Sequence, residues 1–373
     1  MKKINVCLSG RPYSIVIGRD LLARAGRLMR PLKAGKKILI VTNRKVARHY
    51  LKPLSSALVK AGYDVSSHRL PYGDERDKSA AVLAVLWRRM AGVPLERSSA
   101  LVALGGGVVG DLAGFAAATY MRGITLVQVP TTLLGQVDSA IGGKTAIDLP
   151  EAKNGVGAFY QPRLVISDIG VLRTLDLKDV RSQLAEVIKY GVIADPKLFA
   201  LLEEQSASFF SAWAAGIMGP REFRFLETIV SRSAAIKAGV VEQDERETKG
   251  RRIILNYGHT FAHALEGASG FRMRHGDAVA VGMVMAGALS RGRKMFSRAD
   301  ELRQRELIRQ SGLPVSVNSK RFSVQSILPF MKRDKKVRHG RMRFVLPRSI
   351  GRVVVVDDVS EKEVVRVFKG CRW

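Results

Sequence analysis

An α/β first half followed by a mostly helical second half is the architecture this chain predicts, and three observations carry the prediction. Short apolar runs alternate with helically spaced ones as far as about residue 170. A glycine-rich turn joins one of those runs directly to a helix, and beyond residue 172 long helical patterns dominate. The division is placed at 1–170 and 171–373, and two domains of this kind are expected to hold a ligand cleft between them.

Taken in order, residues 36–42 follow Gly35, contain the short apolar run Ile-Leu-Ile-Val and read as a buried strand. Residues 46–61 have helical apolar spacing and stop at Gly62. A strand over 65–70 and a helix over 78–90 come next, then a strand over 99–104 that runs into the glycines. A helix of small residues covers 111–121, and 124–129 is a further strand. Strand–helix alternation of this sort makes a parallel sheet covered on both faces. In the second half, helices are expected over 179–193, 196–212, 221–242, 256–267, 277–293 and 299–311, with strands returning only at 342–346 and 352–356.

Composition narrows the function. Apolar residues make up 46% and charged residues 25%, which is ordinary for a globular protein. No apolar stretch approaches the roughly 18 residues of a membrane span. Residues 1–11 lack the apolar core of a signal peptide, and the two cysteines, Cys7 and Cys371, suit a reducing compartment. A cytoplasmic protein is expected. The net charge of +29 draws in anions of any kind. Aromatics are only 7%, and the basic residues are spread along the chain, most densely over 332–343. Nucleic acid is therefore not the expected partner; a small anion is.

Metal chemistry is suggested by the histidines. The chain has six, and His259, His263 and His275 fall within seventeen residues. Upstream, Glu186 interrupts an apolar helical stretch. Imidazoles four apart share one helix face, and imidazole with carboxylate suits Zn²⁺. Glu186, His259 and His275 could supply three ligands, leaving His263 to orient or protonate a bound group. Lys189 lies one turn beyond Glu186, and on a helix running through this region Arg252, Asn256, His259 and His263 would line one face.

Residues 105–110, Gly-Gly-Gly-Val-Val-Gly, fit the spacing of a pyrophosphate-binding turn between strand and helix. The acidic residue expected after the next strand is replaced by Pro130, so Asn43 and Glu75 are the candidates for holding a ribose. Asp138 and Lys144 sit in otherwise apolar sequence, where charge is costly unless paired or used. Pairing with each other is the bland account of both. Lys153 and Asn154 form a further polar pair flanked by glycine.

Several ordered motifs together make the chain similar to the 3-dehydroquinate synthase family of the shikimate pathway, within the sugar-phosphate cyclases. They are Gly-Gly-Gly-Val-Val-Gly-Asp at 105–111, Pro-Thr-Thr-Leu-Leu at 130–134, Val-Asp-Ser-Ala-Ile-Gly-Gly-Lys-Thr at 137–145, and Ala-Glu-Val-Ile-Lys-Tyr-Gly at 185–191. Two more follow, Leu-Asn-Tyr-Gly-His-Thr-Phe-Ala-His at 255–263 and His-Gly-Asp-Ala-Val-Ala-Val-Gly-Met at 275–283. The stretch 244–252 is one residue longer than the family pattern, and Ala262 stands where glycine is frequent.

The resemblance implies a Rossmann-like N-terminal domain that binds NAD and a helical C-terminal metal-binding domain. It implies Glu186, His259 and His275 as ligands of Zn²⁺, with Co²⁺ as the alternative ion. NAD would be held by Asn43, Glu75, Lys78, Gly105, Gly106, Gly107, Val108, Asp111, Thr131, Thr132 and Lys153. Substrate would meet Arg122, Asp138, Lys144, Asn154, Lys189, Lys237, Arg252, Asn256, His263 and Lys335 or its neighbour Lys336, with Lys144, Lys189, Lys237 and His263 catalytic. The implied reaction converts 3-deoxy-D-arabino-heptulosonate 7-phosphate to 3-dehydroquinate and phosphate, in a redox cycle that does not consume NAD. A homodimer is the implied assembly. The sister cyclases that act on sedoheptulose 7-phosphate are the nearest rival reading, and a metal-dependent polyol dehydrogenase is the next.

Overall fold

The structure is a computed structural model in which residues 1–318, 321–333 and 342–371 are described, the side chains of 332 and 333 excepted. Two compact units result: Met1–Leu175 with Leu226–Arg246, and Asp176–Phe225 with Glu247–Trp373.

The first unit runs β1 (Lys2–Val6), β2 (Tyr13–Gly18), α1 (Ala25–Met29), β3 (Lys37–Asn43), α2 (Arg44–Val46), α3 (Lys52–Lys60) and β4 (Asp64–Leu70). It continues with α4 (Ala80–Gly92), β5 (Ala100–Gly105), α5 (Gly107–Thr119), β6 (Thr125–Pro130), β7 (Lys144–Leu149), β8 (Ala152–Phe159) and β9 (Leu164–Asp168). Seven strands form one sheet in the order β1-β2-β9-β6-β5-β3-β4. Every neighbouring pair is parallel except the antiparallel β1 and β2. Side chains alternate across the sheet, so β3 feeds two cores: Leu39 and Val41 pack with α4 and α5, while Ile38 and Ile40 pack with α1 and α3. Burial of both faces explains why β3, β5 and β6 read as apolar runs, whereas the edge strands β1 and β4 are more exposed and polar.

The structure adds strands that sequence periodicity did not reveal. β7 and β8 pair as a separate antiparallel hairpin, and β8 is exposed along most of its length, so it carries no apolar alternation. The expected helix over 46–61 is also interrupted. A π-helical turn covers Ala47–Leu51, and α3 restarts with Pro53 in its first turn, where a missing N–H costs nothing.

The second unit contains α6 (Leu177–Ala194), α7 (Pro196–Ala214), the start of α8 (Pro220–Gln243), α9 (His259–Ala268), α10 (His275–Gly292), α11 (Arg298–Gln310) and α12 (Val324–Arg333). A hairpin of β10 (Phe344–Ser349) and β11 (Arg352–Val356) precedes α13 (Glu361–Gly370). The division at 170 assigned 226–246 to the second domain, but this stretch packs with the first unit. Its polar ties are specific: Lys237 bonds Asp138, and Glu242 accepts from the backbone N–H of Cys7.

One helix expectation fails. A helix through 256 was to line up Arg252, Asn256, His259 and His263 on one face. Instead Arg251–Asn256 is a 3₁₀ helix, and Gly258, at φ +78°, breaks the chain before α9 starts at His259. Only His259 and His263 share the α9 face. The break also permits close packing, because a Cβ on Gly282 of α10 would sit 2.1 Å from the Gly258 carbonyl oxygen. At the other contact of α10, a Cβ on Gly276 would lie 1.7 Å from the Ser182 oxygen of α6. Two glycines of α10 thus bring three helices together. Among the described residues, no helix is long and apolar enough to cross a membrane.

Candidate active site

Those three helices each deliver one ligand to a single point. Glu186 comes from the buried middle of α6, His259 from the first position of α9 and His275 from the first position of α10. His259 Nε2 and His275 Nε2 each lie 3.4 Å from Glu186 Oε1. One ligand atom from each of the three residues falls within 4.8 Å of the other two. The 3.4 Å separation is long for a good hydrogen bond. It matches the edge, about 3.3 Å, of a tetrahedron whose ligands stand ~2.05 Å from a central zinc ion. The donor set therefore fits the metal that the sequence suggested.

Electrostatics agree. Burial works against the charge on Glu186, which is 1% exposed, yet Lys189 and His259 outweigh it and hold the carboxyl well below its ordinary range. Burial pushes His259 down to about 4, which keeps it neutral, the form that ligates. Burial also opposes charge on His275, but hydrogen bonds to Glu186 and Glu266 prevail and lift it to about 10. Glu186 thus draws positive charge to this point, whether as a proton or as a metal ion.

The same unit supplies groups that can handle an anionic substrate. Lys189 pairs with Glu186 and is 2% exposed. Arg252 is buried in the 3₁₀ helix, with Asn256 at that helix's end. His263 lies one turn along α9 from His259, the two rings edge-on with centroids 5.5 Å apart. It is exposed, so it is no packed core histidine. Lys335 and Lys336 lie outside the described residues.

In the first unit, the expected dinucleotide groups gather at the carboxyl ends of adjacent parallel strands, where α/β sheets bind ligands. Asn43 ends β3, Gly105 ends β5, and Thr131 and Thr132 follow β6. Gly106, Gly107 and Val108 open α5, where free N–H groups suit a phosphate. A Cβ on Gly105 would come within 2.5 Å of Val109, so close packing of helix on strand also requires this glycine. Lys78, 4% exposed, donates to Asp111 Oδ2 at 2.8 Å and to the Asn154 amide oxygen, with Glu75 at 3.5 Å. Burial disfavours charge on Lys78, but Asp111 and Glu75 overcome it and raise its pKa. Lys153 reaches Glu75 at 3.4 Å.

Asp138 pairs with Lys237 at 2.7 Å, a partner that the bland account of the sequence, which set it beside Lys144, did not name. Lys144 and Arg122 are exposed, and Arg122 and Asn154 adopt left-handed φ values of +63° and +53°. Sequence reasoning missed two groups near the metal ligands, Glu266 and the carbonyl of Tyr257. Glu266 was open to discovery, since 259, 263 and 266 fall on one helix face.

Comparison with known proteins places this geometry. The 2-epi-5-epi-valiolone synthase of Streptomyces hygroscopicus, solved with NAD⁺ and Zn²⁺ bound, superposes with a TM-score of 0.86 at 29% identity, covering 98% of each chain. A 2-deoxy-scyllo-inosose synthase shares the fold at a TM-score of 0.85 and 24% identity, over 99% of this chain and 100% of that one. Glycerol dehydrogenase from Schizosaccharomyces pombe shares it more distantly, at 0.69 and 15%, over 96% of this chain and 88% of that one. Fold and ligand cluster together define the class: a two-domain enzyme of the sugar-phosphate cyclase type.

Within that class the sequence is more specific. The family patterns described as 3-dehydroquinate synthase N-terminal and C-terminal match residues 69–182 and 183–337. A 3-dehydroquinate synthase of Nostoc punctiforme is 45% identical over 98% of this chain and 99% of its own. That of a Synechococcus strain is 46% identical over 97% and 95%. The chain belongs to the 3-dehydroquinate synthase family.

Proposed function

We infer that the chain performs the family's reaction, taking 3-deoxy-D-arabino-heptulosonate 7-phosphate to 3-dehydroquinate and phosphate, and that the residues predicted from sequence carry it out. The observation that supports this most is the convergence of Glu186, His259 and His275 on one point, with Lys189 and His263 beside it. When bound, zinc at those three ligands supplies a Lewis acid, and NAD supplies a reversible hydride acceptor.

The protein's own groups do the rest. The Glu186 carboxylate holds Lys189 in place, so the Lys189 side chain can meet an anionic oxygen of the substrate. Arg252 offers a planar fork suited to a carboxylate or phosphate, and Asn256 can orient a hydroxyl. His263, exposed and one turn from a ligand, is placed to move a proton to or from a substrate oxygen. In the first unit, Arg122, Asp138, Lys144, Asn154 and Lys237 are the proposed substrate groups. Lys237 is held by the Asp138 side chain and backbone carbonyl, which fixes its ammonium. For the dinucleotide, Asn43, Glu75, Lys78, Asp111, Thr131, Thr132, Lys153 and the glycine turn are the proposed contacts. A net charge of +29 favours so anionic a substrate. The homodimer and the cytoplasmic setting belong to the same family reading.

The test supplies the heptulosonate 7-phosphate with Zn²⁺ and substoichiometric NAD⁺, and follows phosphate, 3-dehydroquinate and NADH. Many turnovers per NAD⁺ without net NADH are expected. Phosphate release only from sedoheptulose 7-phosphate would reassign the chain to the sister cyclases, and stoichiometric NADH to the dehydrogenases.

A further inference from the structure

We propose that Glu266 is the positioning residue for His275, a buried carboxylate that fixes which ring nitrogen His275 offers to the metal. The inference rests on the metal-centre reading above and extends it beyond the three ligands. Glu266 Oε1 lies 3.2 Å from His275 Nδ1, and Glu266 is only 9% exposed. The other ring nitrogen, Nε2, is the one turned to Glu186. Because the two nitrogens of an imidazole point apart, a carboxylate on Nδ1 stands on the far side of the ring from the ligand cluster. Glu266 is accordingly not a further ligand. A carboxylate only accepts, so it selects the tautomer with the proton on Nδ1 and leaves the Nε2 lone pair for the ion.

His259 is held by a different device. Its Nδ1 lies 3.1 Å from the main-chain carbonyl of Tyr257, also an acceptor only. That carbonyl is positioned from behind, since the Tyr257 hydroxyl is buried and donates to Gln304 Oε1 at 2.7 Å. Both histidines are therefore set in the same tautomer, one by a neutral carbonyl and one by a charged carboxylate. The charged partner makes its imidazole the stronger donor. It is also the partner that side-chain substitution can remove. His275 needs it more, because its side chain is 37% exposed against 11% for His259 and is less confined by packing.

The experiment measures zinc affinity by competition with a chromophoric chelator for wild type, Glu266→Gln and Glu266→Ala. It is paired with visible spectra of the Co²⁺-loaded proteins and melting of the metal-free proteins. Glu266→Ala should weaken zinc binding by about 10–100-fold. Glu266→Gln, whose amide oxygen still accepts, should weaken it less, and both should shift the cobalt bands while metal-free melting of the Gln variant stays put. Wild-type zinc affinity and unchanged cobalt bands in the Gln variant, with destabilised metal-free protein in the Ala variant, would make Glu266 a packing residue and overturn the inference. Wild-type affinity in both variants overturns it equally. Failure of the wild-type protein to bind zinc at all would remove the metal centre, and this inference with it.

Discussion

Charged side chains are buried in both units, but they are arranged differently. In the first unit opposites meet: Lys78 lies among Asp111, Glu75 and Asn154, and Lys237 bonds Asp138. Each cation there has an anion at hydrogen-bond distance, so desolvation is offset within the protein. In the second unit three ligand atoms point at one another, with the carboxylate 3.4 Å from each imidazole nitrogen. Lys189 pairs with this carboxylate too, but the two imidazole nitrogens turned toward it make a set that a metal ion would complete. The contrast teaches that burial of charge does not by itself mark a metal site; the directions of the donor atoms do.

Removing a member from each arrangement should therefore give different symptoms. Glu186→Ala is the largest expected effect, because it removes the anion on which the other two ligands converge. Bound zinc and turnover should fall together by at least about 100-fold, in excess of the loss expected for an outer residue. Metal analysis of the purified variant checks this, and a variant with full zinc and full activity would dissolve the contrast.

Lys78→Met tests the other side. It removes a buried ammonium and leaves the part-buried Asp111 carboxylate and the exposed Asn154 amide oxygen without that donor. A stability loss of about 3 kcal/mol is expected, with zinc affinity unchanged. Denaturant unfolding read beside zinc titration checks both halves. An unfolding midpoint equal to wild type would mean that this pair is solvent-compensated and the contrast weaker than drawn.

Gly276→Ala sharpens the comparison with the smallest expected change. The new Cβ would meet the Ser182 oxygen at 1.7 Å, so α10 must shift from α6. Overpacking of this sort costs about 1–3 kcal/mol. Because His275 begins α10, zinc affinity should fall along with the melting temperature. Lowered stability with wild-type zinc affinity would show that the ligand geometry tolerates helix movement.

Much of the site could be read along the chain. Glu186, His259 and His275 were nominated by residue type and spacing, and the glycines after β5 by their place between strand and helix. Spacing failed where the backbone changed direction. Arg252 and Asn256 were set on a helix face with His259 because one continuous helix was assumed, and Gly258 in a left-handed conformation ends that assumption. The pairing of Asp138 with Lys237 spans 99 residues, beyond the reach of local pattern.

By itself, the sequence determined the alternation of strands and helices over about residues 36–130, the family, and three side chains able to ligate a metal ion, because each depends on local periodicity or on motifs that survive in linear order. Only the tertiary structure decided the rest: that Leu226–Arg246 packs with the first unit, that β8 is an exposed strand, and that Glu266 stands behind His275. Those facts depend on close approach between segments distant in sequence or across a turn, set by glycine contacts and by pairing of buried charges, and neither leaves a local period to read.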